Sequence, residues 1–274
     1  MAISRRKFIK TSAIVTGIAL FLDAFWIEHH FIQIKEFYLN NASKDASNNI
    51  KIVQISDIHI QVLNRPLEDL ADMLNKLQPD LIVFTGDVLD RPENITVFKS
   101  FIELIDVHIP KAAILGNWEY WAKVTMEELN LIYKNNNCRL LINQGTQFKL
   151  REKTFSITGV DDFVAGKADI TEALKWYLPT DYHIILNHCP QYTDQIRSAL
   201  PSNIKTDLIL SGHTHGGQVN IFGFCPYLPK GSGKYVKGWY DGSPKMYVSK
   251  GIGTTIFPIR FGARAEVTIF NFQG

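Results

Sequence analysis

The sequence predicts an α/β fold, a wound sheet covered by helices, with a cluster of metal-competent side chains at the carboxyl ends of its strands. Two observations predict it. From Lys51 onward, short apolar runs alternate with segments of helical period. Each of five such runs is followed at once by a carboxylate, an amide or an imidazole. A chain of 274 residues, 46% hydrophobic and 20% charged, is globular in composition and has room for one large domain with a targeting segment.

The chain begins with Ser4-Arg5-Arg6-Lys7-Phe8-Ile9-Lys10 and then the apolar stretch Ala13 to Leu22. This is the charged n-region and apolar h-region of a signal peptide, and all seven leading positions resemble a twin-arginine (Tat) export signal. The alternative is an ordinary basic flank before a membrane helix. Leu22-Asp23-Ala24 is a poor cleavage site and bulky Phe25-Trp26 follow, so the segment is expected to stay as an anchor. Asp23 shortens its apolar run below the ~20 residues that comfortably span a bilayer. The expected division is therefore 1–26, signal or membrane anchor, and 27–274, one domain facing outside the cytoplasm. With the cations Arg5, Arg6, Lys7 and Lys10 set aside, the formal charge falls from +2 to −2, which gives no reason to expect nucleic acid as a partner.

Next, Phe31 to Phe37 alternates like a strand and Asn40 to Asn49 reads as a polar loop. Ile52–Ile55, Leu81–Phe84, Ala112–Leu115, Ile184–Leu186 and Leu208–Leu210 read as buried strands. Between them, Leu67, Leu70, Ala71, Leu74 and Leu77 share one helical face behind Pro66, and Thr125 with Glu128 forms a capping box before a second helix. The stretch from Gln218 to Phe270 is richer in glycine and aromatics, with β-like runs at Met246–Ser249 and Ala265–Phe270.

Asp57 and His59 follow the first strand, Asp87 and Asp90 the second, Asn117 and Glu119 the third, His188 the fourth, and His213 and His215 the fifth. Ligands in open α/β sheets bind outside the carboxyl ends of the strands, so these side chains are expected to converge. In Asp57-Ile58-His59 and His213-Thr214-His215, an extended backbone would point both outer residues to one side, giving each pair a metal to share. Gly212, Gly216 and Gly217 would permit close backbone approach.

Asp57-x-His59, Gly86-Asp87-x-x-Asp90, Gly116-Asn117-x-Glu119, His188-x-Pro190 and Gly212-His213-x-His215, in this order, resemble the motif blocks of the calcineurin-like metallophosphoesterases. His213 to Gln218, Gly159 to Asp162 and Ser249 to Thr254 resemble the membrane-associated or Tat-exported bacterial branch of that family. The resemblance implies a four-layer α/β/β/α sandwich holding two divalent metal ions. One ion would take Asp57, His59 and His215, the other Asn117, His188 and His213, with Asp87 bridging. It places Asp87, Asn117 and Asp90 in the catalytic machinery, and Trp118, Asp161 and Asp162 beside the substrate. Carboxylate, amide and imidazole ligands suit Mn, Fe or Zn without choosing among them. The implied reaction is hydrolysis of a phosphomonoester or phosphodiester by a metal-bridging hydroxide, on a substrate that includes lipid-linked phosphates of the UDP-diacylglucosamine class.

One position departs from the pattern: Trp118 stands where the family has histidine. Indole donates a hydrogen bond but has no proton to exchange, and losing a general acid costs about 10²–10⁴-fold. Three readings follow: a substrate with a good leaving group, an acid supplied by Asp161, Asp162 or Tyr120, or a metal- and phosphate-binding protein without turnover. The enzyme is the preferred reading, because the ligand set is complete. Asp161 and Asp162 read equally well as a turn. His29, His30, His108 and His183 fall outside the motifs and read as surface or packing residues. Cys138, Cys189 and Cys225 are odd in number and scattered, which favours free thiols over a bridge or a knuckle. The aromatic loop Phe222, Phe224, Tyr227 and Leu228 is read as folded onto the sheet, in preference to a lip for an acyl chain or membrane surface.

Overall fold

The computed structural model describes residues 4–22, 24, 28, 31–46, 48–255 and 258–274. Asp23, Phe25 and Trp26, on which the reading of the signal's end rests, and His29 and His30, read as surface or packing residues, lie outside the described residues. Helix α1 (Arg5–Leu22) leads the chain, and no described helix is long and apolar enough to cross a membrane.

Strands β1 (Gln33–Tyr38), β2 (Ile50–Ile55), β3 (Leu81–Thr85), β4 (Lys111–Ile114), β5 (Cys138–Leu140) and β12 (Glu266–Phe272) form one sheet, in the order β1-β12-β2-β3-β4-β5. The second sheet runs β10-β11-β9-β8-β7-β6, from β6 (Gln144–Leu150), β7 (Lys153–Gly159), β8 (Tyr182–Leu186), β9 (Leu208–Ser211), β10 (Gly238–Tyr240) and β11 (Lys245–Val248). The five strands expected in one wound sheet thus divide between two: β2, β3 and β4 are parallel neighbours in the first, β8 and β9 in the second.

Strand alternation explains the layers. Ile50, Ile52, Leu81 and Val83 point between the sheets, against Phe155, Ile157, Ile184, Leu186, Leu208 and Leu210. Their sequence neighbours Val53, Ile55, Ile82 and Phe84 point the other way, onto helices α2 (Arg65–Leu77), α3 (Ile95–Glu103) and α5 (Met126–Asn135), the short α4 (Asn117–Trp121) lying between the last two in sequence. On the far side, Ile185, Ile209, Met246 and Val248 pack on α6 (Ile170–Leu174) and α7 (Thr193–Ala199) through Ile170, Ala173 and Ile196. Strands apolar on both faces require cover on both, and the result is the α/β/β/α sandwich.

Helix α2 starts as the sequence predicts: Asn64 caps it, its side chain accepting from Leu67 N, and Leu67, Leu70, Ala71 and Leu74 are its buried face. The capping box before α5 does not form, since Thr125 sits at the cap but its side chain makes no capping hydrogen bond. The aromatic loop also departs from expectation. Ile221 and Phe224 close a turn on each other through two backbone bonds of 2.9 and 3.0 Å, around Gly223 at φ 98°. That turn projects its tip into solvent: Phe222 is fully exposed, and Phe224 and Tyr227 largely so.

Candidate metal centre

All five expected strand ends meet along the seam of the two sheets. His188 Nε2 lies 3.2 Å from Asp87 Oδ2, 3.3 Å from Asn117 Oδ1 and 3.2 Å from His213 Nδ1. The proton on each ring follows from its other nitrogen. His188 Nδ1 faces the Thr85 carbonyl at 2.7 Å and His213 Nε2 faces the Lys230 carbonyl at 2.9 Å, so those nitrogens donate. Their other nitrogens face inward. With Asp87 and Asn117 they bring four metal-competent atoms together.

The neighbouring group repeats the arrangement. His215 Nε2 lies 3.2 Å from His59 Nε2 and 3.7 Å from Asp57 Oδ1, while His59 Nε2 is 3.6 Å from Asp87 Oδ2. His215 Nδ1 lies 3.2 Å from the Gly253 carbonyl, and its Nε2 faces inward. Asp57, His59 and His215 offer ligand atoms all within 4.8 Å of one another, as do Asp57, Asp87 and His188. Buried imidazole nitrogens, carboxylate oxygens and an amide oxygen that converge at these distances are the ligand types divalent cations take, so the residues present fit divalent metal.

The titration tendencies agree. Burial opposes charge on His188, yet Asp87, Asp57 and Asp162 hold its pKa well above the ordinary histidine value. Burial first, and then neighbouring cations, lower His59, His215 and His213, the last to about 4. Burial raises Asp57 to about 6. The cluster therefore seeks positive charge that its imidazoles cannot all carry.

The backbone that delivers these side chains is not the extended one that period-two spacing suggested. Asp57, His59, Asp87, His213 and His215 all have left-handed φ, at 51°, 45°, 53°, 73° and 50°. Each such residue costs on the order of 1 kcal/mol and is held by what surrounds it. Asp57 N donates to Gly86 O (3.0 Å) and His59 N to Asp87 O (3.1 Å), and the Asp57 carboxylate accepts from His213 N at 2.8 Å. Glycine is required where these loops touch: a Cβ on Gly116 would stand 2.2 Å from Asp87 Oδ1, and one on Gly212 2.0 Å from Ser56 Oγ.

The calcineurin-like phosphoesterase family pattern matches residues 50–217, which contain the whole cluster. This chain belongs to that family. The metallophosphoesterase YkuE of Bacillus subtilis is 30% identical to it, over 98% of this chain and 98% of its own length. The phosphodiesterase YaeI of Escherichia coli is 28% identical, over 98% and 99%. Among solved structures, a dimetal phosphatase from Danio rerio shares the fold at 10% identity with a TM-score of 0.50, covering 80% of this chain and 98% of that one.

Other residues of this metallophosphoesterase find definite places. Asp90 is half-buried, held by Gln61 Nε2 (2.9 Å) and Asn94 Nδ2 (3.1 Å), and lines a cleft of about 340 Å³ that also reaches His59. Glu119 is fully buried, its carboxylate accepting from Gly116 N (2.7 Å), Asp87 N (3.1 Å) and Val88 N (2.7 Å). It therefore shapes the loop that presents Asp87. Trp118 is half-buried on the rim, its ring edge-on to His59 with centroids 5.8 Å apart, and its backbone N donates to Asp87 Oδ1 at 2.9 Å.

Asp161 and Asp162, expected at the substrate, are committed to their own loop. Asp161 accepts from Tyr120 OH, Asp162 N and Lys167 N, and Asp162 from Val164 N, Ala165 N and the Cys189 thiol. These bonds build the turn that the sequence allowed, and Tyr120 takes part in it. Cys189 is buried, and its pKa is pushed well above the ordinary thiol value by burial and by Asp162. All three cysteines are free.

Sequence reasoning missed Arg260. Its guanidinium is fully buried and donates to the carbonyls of Gly253 (3.1 Å, from Nε), Ala263 (2.6 Å) and Lys250 (2.9 Å), with Nη2 3.4 Å from His215 Nδ1. It ties the Lys250–Gly253 turn to the loop behind His215. The available signal was a lone arginine inside the apolar stretch Pro258-Ile259-Arg260-Phe261.

Proposed function

We propose that this chain is a dinuclear metal-dependent phosphohydrolase that cleaves a phosphomonoester or phosphodiester. The observation that carries the reading is the convergence of buried imidazole nitrogens with carboxylate and amide oxygens from five strand ends. Asp57, His59 and His215 would hold one cation, Asn117, His188 and His213 the other, and Asp87 both; Mn, Fe and Zn all suit this set. Bound divalent cations supply Lewis acidity to phosphoryl oxygens and make water nucleophilic near neutral pH.

The chain's own residues do the positioning. Asp87 is fixed by Trp118 N on one oxygen, which leaves the other facing His188 and His59. Glu119 fixes the backbone on which Asp87 sits, and Asp90 stands on the cleft wall beside His59. In the reaction the oxygen of water bonds to phosphorus, the ester P–O bond breaks, and the departing oxygen takes a proton. The name of the E. coli relative supports a phosphodiester as substrate class. The proposal further places catalysis in residues 27–274, outside the cytoplasm, with 1–26 as a Tat signal or membrane anchor and a lipid-linked phosphoester, as in the UDP-diacylglucosamine class, among the candidate substrates.

The experiment is hydrolysis of an aryl phosphodiester and an aryl phosphomonoester by the full chain with Mn²⁺, Fe²⁺ or Zn²⁺, against Asp87→Asn. Turnover in the first and its loss by at least about 10²-fold in the second is expected, since one shared ligand serves both groups. Equal rates in the two would sink the reading. A second reading, a metal-holding protein without turnover, is favoured by one observation alone: an indole on the rim at His59.

A further inference from the structure

Arg260 and Glu28 stand outside the metal cluster but hold part of its frame. The turn from Lys250 to Gly253 meets the Asp57, His59 and His215 group directly. Ile252 N donates to Ser56 O (3.1 Å) and Gly253 N to Asp57 O (2.7 Å), while Gly253 O lies 3.2 Å from His215 Nδ1. The fit is close, since a Cβ on Gly253 would stand 2.1 Å from Ile58 O. Arg260, fully buried, holds this turn through Gly253 O and Lys250 O, and its Nη1 reaches His215 O at 3.5 Å. A guanidinium makes such bonds as one rigid planar group, so the place of the Arg260 backbone sets the place of the turn. That backbone is held in its turn by the N-terminal segment. Arg260 N donates to Ala24 O (3.0 Å) and Ala265 N to Glu28 O (3.1 Å). The buried Glu28 carboxylate accepts from Gly262 N and Ala263 N at 2.9 Å each, and bonds to an ionised acceptor are the stronger kind. The other ligand group has separate supports: His188 rests on Thr85 O and His213 on Lys230 O.

We propose that Ala24, Glu28 and Arg260 form a brace through which the N-terminal segment sets the metal affinity of the Asp57, His59 and His215 group, and not that of its neighbour. Arg260 is the positioning residue of this brace. The inference rests on the dinuclear reading above for its two metal sites. Coupling of this kind is reciprocal, so a cation held by that group also tightens the grip of residues 260–265 on Glu28. Metal loading and the docking of the N-terminal segment are then linked across the chain.

The test is Mn²⁺ binding to the full chain by calorimetry, with His215→Ala and His188→Ala assigning the two binding steps. Glu28→Ala is expected to weaken the step that His215→Ala abolishes by about 10-fold or more, within the ~10–100-fold typical when a partner behind a metal ligand is lost, and to leave the other step within about twofold. Arg260→Lys keeps the charge but loses the fork, and should act in the same direction. Glu28→Gln, close in shape and still offering one acceptor oxygen, should show a smaller loss of the same step, and it keeps the test decisive if the larger changes unfold the chain. A second readout is hydrogen exchange in the unaltered chain, where Mn²⁺ should slow the Gly262 and Ala263 amides by about threefold or more, although neither residue is a ligand. Equal weakening of both steps overturns the inference, because Glu28 then supports the domain as a whole. An unchanged His215 step overturns it too, as does exchange at Gly262 and Ala263 that ignores the metal. If the unaltered chain binds a single ion or none, the dinuclear reading falls and the inference with it.

Discussion

Trp118, where the family has histidine, is the position at which the proposed chemistry is most open to test. Its backbone N holds Asp87 Oδ1, an anchor that any side chain at 118 would keep, while the ring contributes only an edge against His59 and a contact with Trp121. Trp118→His should therefore leave the metal cluster assembled and add a titratable donor at the rim. For an alkyl leaving group, whose departing oxygen is strongly basic, a gain in kcat of about 10-fold or more is expected, toward the 10²–10⁴ that general acids supply. For a nitrophenyl ester, which leaves without help, the gain should be small. Steady-state kinetics on both esters checks this, and a variant that gains neither rate nor affinity would show that the missing imidazole limits nothing. At this scale the sequence revealed which residues meet but not how. Asp57-x-His59 and His213-x-His215 reach the centre through left-handed backbone, because tight loops between two sheets leave no room for extended ones. Arg260 gave too little signal, since its partners are carbonyls and no acid marks it in the sequence.

Among the elements, the pair β7 and β8 carries a pH dependence unrelated to catalysis. His183, on β8, is buried between the hydroxyls of Thr158 on β7 and Thr206, each 2.9 Å from a ring nitrogen, and its ring packs on Tyr177. Asp207 faces its backbone N, not its ring. Burial lowers its pKa to about 4, against about 6.5 for an exposed histidine. Between those values the unfolded chain binds a proton that the folded chain refuses. The stability tied to His183 is therefore full above about pH 6.5 and is lost as pH falls toward 4, by an amount on the order of 3 kcal/mol. Urea unfolding of the chain and of His183→Gln across this window measures it. The gap between the two curves should change with pH, and parallel curves would refute the assignment. The hairpin β6–β7 beside it was illegible in the sequence. Gln144, Thr146, Ser156 and Thr158 interrupt its apolar alternation, and β6 is a partly exposed edge strand that needs little hydrophobic signal. The central strands were legible because burial on both faces demands unbroken apolar runs.

At the scale of the molecule, periodicity alone pointed to one wound sheet, whereas the resemblance of the motif blocks implied the two-sheet sandwich that the chain adopts. Periodicity reports that a strand is buried on both faces and not which strand lies beside it, and β12 reaches β2 from the far end of the chain. The same organisation bears on delivery. Arg5 and Arg6 are exposed on α1, whereas the domain is met, among the described residues, at Ala24 O and at Glu28, whose carboxylate accepts from Gly262 N and Ala263 N at 2.9 Å each. A twin-arginine signal read by a receptor needs such an accessible pair on a chain whose domain is already folded. Arginine presents a planar fork of donors that lysine lacks, so charge-conserving replacement tests recognition and not attraction. Replacing both residues, Arg5→Lys with Arg6→Lys, should leave the thermal midpoint and the ester hydrolysis of the purified chain unchanged, because neither side chain touches the domain. The same variant should accumulate in the cytoplasm when cells are fractionated. If its location is unchanged, the basic stretch is an ordinary flank and the proposed export route falls, while the metal centre, built from residues 57 to 215, is untouched.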